Sequence, residues 1–136
     1  MTVVNCNTWC YSRNMKQLMT KIFSKWAADQ GLSIADLAKA LEEVKKGSFE
    51  ASLGGKIIKK RIRFAGHGKS KSGRTIVCYQ KDNMAIFVHG FAKNEKSTLS
   101  TKELEAFKEL AKVLFAYSEA DIHKAIEDGV LIEVRV

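Results

Sequence analysis

Lys56-Ile57-Ile58-Lys59-Lys60-Arg61-Ile62-Arg63-Phe64 reads as a β-strand, and its period decides the fold. Alternation sends Ile58, Ile62 and Phe64 to one face and Lys59, Arg61 and Arg63 to the other. Lys60 falls on the apolar side, where a bulge or an exposed edge would accommodate it. Two more strands follow, Arg74–Gln80 and Met84–Phe91, joined by the turn Lys81-Asp82-Asn83. The third strand is apolar nearly throughout, which suits the centre of a sheet. Short connections imply an antiparallel β-meander.

Outward from the meander the pattern turns helical. Met15, Leu18, Met19, Ile22, Phe23, Trp26 and Ala27 recur at a spacing that predicts a helix from Ser12 to Gln30, stopped by Gly31. Ser33 with Asp36 predicts a capping box for a second helix, whose buried stripe is Leu37, Ala40, Leu41 and Val44 and whose end is Gly47. Downstream, Ser100 with Glu103 opens a third helix carrying Leu104, Phe107, Leu110, Ala111 and Leu114 inward. A short fourth helix runs from Ser118 to Ile126, and Val130–Val136 reads as a terminal strand. No proline, repeat or low-complexity tract marks a boundary. The expectation is one α+β domain over 1–136, with residues 1–12 unplaced: N-terminal helices packed on the meander, then a C-terminal helix and a short terminal strand.

The net charge of +8 is unevenly placed. From Ala51 to Lys81 there are nine Lys/Arg (Lys56, Lys59, Lys60, Arg61, Arg63, Lys69, Lys71, Arg74 and Lys81) and no acid. The rest of the chain holds fourteen basic against fifteen acidic residues. Charge concentrated in this way suggests a polyanionic partner, most commonly nucleic acid. No apolar run reaches membrane-spanning length, and Met1 to Cys10 lacks the regions of a signal peptide. Three cysteines, Cys6, Cys10 and Cys78, read as free thiols, so the cytoplasm is the expected compartment. Cys6 and Cys10 have no histidine nearby, and neither a metal nor a cofactor is expected.

Successive cations on one strand face are roughly 6.6 Å apart, near the phosphate spacing of an extended nucleic-acid strand. Arginine at two of the three polar positions suits bidentate phosphate contacts. The loop from Gly66 to Gly73 adds His67, Lys69 and Lys71 on a backbone of glycines and small hydroxyls. Gly68-Lys69-Ser70 is not a Walker A loop, because Arg63 stands where its first glycine is required and a strand follows. His67 reads as a solvated loop residue before a phosphate contact, His89 as a satisfied sheet histidine, and His123 carries no assignment.

The run Leu53-Gly54-Gly55, Lys59-Lys60-Arg61-Ile62, Gly66 to Arg74 and Gly90-Phe91-Ala92-Lys93-Asn94-Glu95 resembles RelE-type toxins of type II toxin–antitoxin systems, in their HigB-like branch. The likeness covers roughly residues 20 to 135. It implies a compact RelE-like fold with helices packed on an antiparallel sheet and the other sheet surface engaging RNA. It also implies an mRNA interferase: translation inhibition by cleavage of mRNA in the ribosomal A site, neutralised by a cognate antitoxin, expected to be of helix-turn-helix type. The family's Lys-x-Arg pair carries over to Lys59 and Arg61, its post-loop arginine to Arg74, and its Lys-Asn-Glu to Lys93, Asn94 and Glu95. The branch usually reads Gly-Lys-Ser-Gly-Gly-aromatic-Arg, where this chain has Gly68-Lys69-Ser70-Lys71-Ser72-Gly73-Arg74. A tyrosine found near the third helix of some relatives is absent, with Ser100 its nearest counterpart.

Metal-free RNA cleavage requires deprotonation of the 2′-hydroxyl, stabilisation of the phosphorane charge and protonation of the leaving 5′-oxygen. The expected catalytic set is Lys59, Arg61, Arg74, Lys93 and Glu95. Arg61 and Arg74 would stabilise phosphate charge, Lys59 or Lys93 would move a proton, and Glu95 would be the base or orient Lys93. Lys56, Arg63, His67, Lys69, Lys71 and Asn94 would bind RNA. Two other functions fit the residues: a non-catalytic nucleic-acid-binding module, and a toxin of the RelE/ParE fold acting on a non-RNA target such as a topoisomerase.

Overall fold

The computed structural model describes residues 16–63, 72–81, 83–92 and 99–134. In chain order the elements are β1 (Lys16–Thr20), α1 (Lys21–Asp29), α2 (Ile34–Lys45), β2 (Ala51–Gly54), β3 (Ile57–Arg63), β4 (Ser72–Gln80), β5 (Met84–Ala92), α3 (Thr101–Phe115), α4 (Glu119–Glu127) and β6 (Leu131–Glu133). The strands form one six-stranded sheet in the order β2-β3-β4-β5-β1-β6. β2 to β5 are the expected antiparallel meander, and β5 lies inside the sheet. The sheet as a whole is mixed, because β1 runs parallel to β5 while β6 returns antiparallel to β1.

The expected helix from Ser12 to Gln30 is corrected: helix begins only at Lys21, and residues 16–20 are a strand. Residues 12–15 lie outside the described residues. Leu18 and Met19 are 2% and 5% exposed, and they belong to different cores on opposite sides of the sheet. Adjacent residues are buried on opposite sides when the backbone is extended. β5, apolar on both faces, also needs its second edge paired, and β1 satisfies those backbone groups. Thr20 then caps α1 by accepting from the Phe23 amide.

β2 was not expected, since Ala51-Ser52-Leu53-Gly54 has weak strand propensity. The turn makes it. Gly54 pairs with Ile57, so Gly55 and Lys56 form a two-residue connection with φ of 58° and 64°, the positive values that match strand twist in a hairpin. The expected capping boxes of α2 and α3 are both present, and α4 has a third, Ser118 with Asp121.

Helices lie on both sides of the sheet, α1 and α2 on one and α3 and α4 on the other. On one side, α1 and α2 bury Phe23, Leu37, Leu41 and Val44 with Ile58, Ile62, Val77 and Phe87. Phe23 stacks on Phe87 at 4.6 Å between ring centroids. On the other, Ala111 and Leu114 of α3 and Ile122 and Ala125 of α4 share a core with Ile57, Ile76, Cys78 and Ile86. Among the described residues, the second face is exposed towards the far end of β3, at Arg61 and Arg63.

Lys60 is also corrected. It sits neither at a bulge nor on an edge strand: it lies inside the α1/α2 core at 6% exposure. Its Nζ donates to the Ser48 carbonyl at 2.9 Å and pairs with Glu43 Oε1 at 2.7 Å. An interior ammonium is tolerated when its donors are satisfied in this way. The same hydrogen bond from Lys60 holds the Glu43 carboxyl below its ordinary value of 4.5.

Candidate nucleic-acid interface

Register places the cations in rows across the α3/α4 face. Ile57 stands opposite Cys78, and Lys59 stands opposite Ile76, which in turn faces His89. One step further, Arg61 faces Arg74 and Arg74 faces Phe91; Arg63 is paired with Ser72. Residues directly opposite in an antiparallel ladder project from the same side, so Lys59, Arg61, Arg63 and Arg74 share one face. The first row is apolar and covered by α3, whereas the last rows are cationic. Arg61 and Arg63 are exposed, Lys59 and Arg74 half-buried. Among the described residues Lys59, Arg61 and Arg63 make no ion pair.

α3 explains why the charge is displaced to one end. Phe107, on its N-terminal half, lies 5.4 Å from the His89 ring, while Phe115 at its end stands beneath Lys56 Nζ at 5.5 Å. The helix thus roofs the part of the face nearest the β2–β3 turn. Lys56, expected to bind RNA, stands at that turn, roughly 16 Å along β3 from Arg61. The structure does not bring it to the other cations. His67, Lys69, Lys71, Lys93, Asn94 and Glu95 lie outside the described residues. β3 ends at Arg63, β4 starts at Ser72, and β5 ends at Ala92 opposite Gly73, so all three strand ends meet at the cationic end.

Gly73, where the HigB-like pattern carries an aromatic, pairs with Ile62 and Ala92. Its position therefore projects toward the α1/α2 side, away from Arg74. The departure does not strip a ring from the cation-bearing face.

Sequence reasoning missed Glu50. Its Oε1 lies 2.8 Å from Arg74 Nε, and its amide donates to the Lys59 carbonyl at 2.8 Å. It immediately precedes the acid-free window, and the signal available was that it is one of the two acids, with Asp82, that border nine cations. Arg74 Nη1 is enclosed and has no partner among the described residues.

His89 sits among the rings of Phe91 and Phe107, as expected for a sheet histidine. Cys78 is a free thiol packed in the core, and burial pushes it up to about 12. Among the described residues no group of His, Cys, Asp and Glu is arranged to hold a metal ion, and no helix is long and apolar enough to cross a membrane.

No curated protein and no solved structure matches the chain. The profile of one family, the RelE toxin of the RelE / RelB toxin-antitoxin system, matches residues 15–134. That match begins next to β1 and runs through β6, taking in both helical layers, the meander and the row of cations. The chain belongs to the RelE toxin family, the toxins of the RelE / RelB toxin-antitoxin system.

Proposed function

We propose that the protein inhibits translation as an endoribonuclease acting on mRNA in the ribosomal A site, restrained in the cell by an antitoxin of helix-turn-helix type. The supporting observation is the register of Arg61 against Arg74, with Lys59 and Arg63 on the same strand face at an end left open by α3. Like charges directly opposite in a sheet are unfavourable, and a phosphodiester chain relieves them.

The chemistry follows from those groups. The 2′-hydroxyl attacks the adjacent phosphorus, its proton passing to a base; the 5′-oxygen leaves after protonation, giving a 2′,3′-cyclic phosphate and a 5′-hydroxyl end. Arg61 and Arg74 stabilise the phosphorane oxygens, a role for which fixed donors are worth about 10²–10³ in rate. Lys59 or Lys93 transfers a proton, with Glu95 as base or as the partner that orients Lys93. Arg63, His67, Lys69, Lys71 and Asn94 hold the flanking RNA. No step requires a cofactor. Action on ribosomes places the protein in the cytoplasm.

The test is induced expression with mapping of mRNA 5′ ends, then single-turnover cleavage of ribosome-bound mRNA by the purified protein. Growth arrest with new 5′-hydroxyl ends, relieved by the antitoxin, is the expected result. Steeply salt-dependent RNA binding without cleavage would instead indicate a non-catalytic binding module. Arrest with intact mRNA would indicate a non-RNA target.

A further inference from the structure

We infer that Glu50 is a positioning residue for Arg74, an inference that rests on the reading of the cationic face as the RNA site. Glu50 is tied at both ends. Its amide is bonded to the carbonyl of Lys59 on β3, and its carboxylate reaches over β3 to Arg74 Nε on β4, each contact at 2.8 Å. One residue therefore couples the backbone bearing Lys59 to the guanidinium of Arg74.

Among the described residues Glu50 is the partner of that guanidinium, since Nη1 has none. An arginine side chain has several rotatable bonds, and Arg61 directly opposite repels it. Without Glu50 nothing described opposes that repulsion, and Arg74 swings away from the place where the phosphate must be held. With Glu50 the Nε edge is occupied and the orientation of the planar group is set before RNA arrives, so less ordering is left to the reaction step. The carboxylate also offsets part of the charge on this face, making the opposed pair tolerable in the folded chain.

The role differs from that of a general base in a way that can be measured. A Gln side chain still accepts from Arg74 Nε through its amide oxygen but takes up no proton at neutral pH. In single-turnover cleavage of ribosome-bound mRNA, E50A is expected to lower the maximal rate by about 10- to 100-fold with a smaller change in half-saturation. E50Q should recover most of the rate with an unshifted pH profile, and E50A/R74A should be no slower than R74A. Thermal melting of each variant identifies loss of fold, and E50Q, close to Glu in shape, carries the comparison if E50A does not fold. A rate for E50Q as low as for E50A, with the acidic limb of the profile gone, overturns positioning in favour of proton transfer. Wild-type rates for E50A while R74A is inactive overturn the inference alone. Wild-type rates for R74A remove the proposed site itself.

Discussion

Arg61 and Arg74 stand directly opposite one another in the β3–β4 ladder, two guanidinium groups on one face of the sheet. Such a pair opposes folding by about 0.2–1 kcal/mol relative to neutral neighbours. Activity and stability should therefore move in opposite directions. Replacing Arg61 by Ala is expected to leave the melting temperature unchanged or slightly higher while cleavage falls by about 10²-fold. Melting curves and single-turnover rates check both halves; a variant that loses stability and keeps its rate contradicts them.

Salt dependence counts the cations that meet phosphate. For single strands the logarithm of affinity falls with the logarithm of salt by about 0.7 per phosphate neutralised. Lys59, Arg61, Arg63 and Arg74 acting together predict a slope near −3 or steeper. Arg63→Ala should reduce it by about 0.7, whereas Lys56→Ala, at the opposite end of β3, should leave it unchanged. Binding of a fluorescent non-cleavable RNA across a salt series reports the slopes.

Lys60 and Glu43 join β3 to α2 inside the α1/α2 layer, with Glu43 the more exposed partner at 45% against 8% for the lysine side chain. Lys60→Ala is expected to destabilise by about 1–3 kcal/mol, because the Ser48 carbonyl and the Glu43 carboxylate both lose their donor. The pH dependence has a defined sign. A carboxyl held below its ordinary value contributes stability that is present above 4.5 and lost as pH falls through the folded value. Denaturant titrations at neutral and acid pH should show that loss in the wild type, and a smaller one in Glu43→Gln.

Gly90 admits the Trp26 indole against β5. A Cβ at this position would lie 2.5 Å from two ring atoms, and a rigid ring cannot yield by rotating a terminal bond. Gly90→Ala is expected to destabilise by about 1–3 kcal/mol. Combining it with Trp26→Leu should cost less than the sum of the two changes, a coupling that a double-mutant cycle measures.

Cys78 is fully enclosed, and burial raises its thiol to about 12. The thiolate is the reactive form, so iodoacetamide should leave Cys78 unmodified in the native protein and label it once denatured. Peptide mapping by mass spectrometry resolves this cysteine from the others.

Much of the architecture was legible because it is local. Ser33 and Ser100 announced their helices through an acid three residues on, and Gly31 and Gly47 the chain reversals that end helices. The alternation in residues 57–63 marked a strand with one charged face. Lys16 to Thr20 misled for the same reason: five residues cannot distinguish a strand buried on both sides from the first turn of an apolar helix. Around the site, the cations were visible as a run of one sign, while Glu50 was not, since its partner Arg74 is distant in sequence and meets it only across β3.

By itself the chain determined its caps, its turns, the face on which Lys59, Arg61 and Arg63 lie, and its kinship to the RelE toxins. Only tertiary structure decided that β1 would complete the sheet, that Lys60 would be buried against Glu43, and that α3 would roof one end of the cationic face and leave the other open. The division is physical. Propensity and periodicity act between near neighbours in sequence, whereas unpaired strand edges and buried charges are satisfied by whichever distant groups the packing brings within reach.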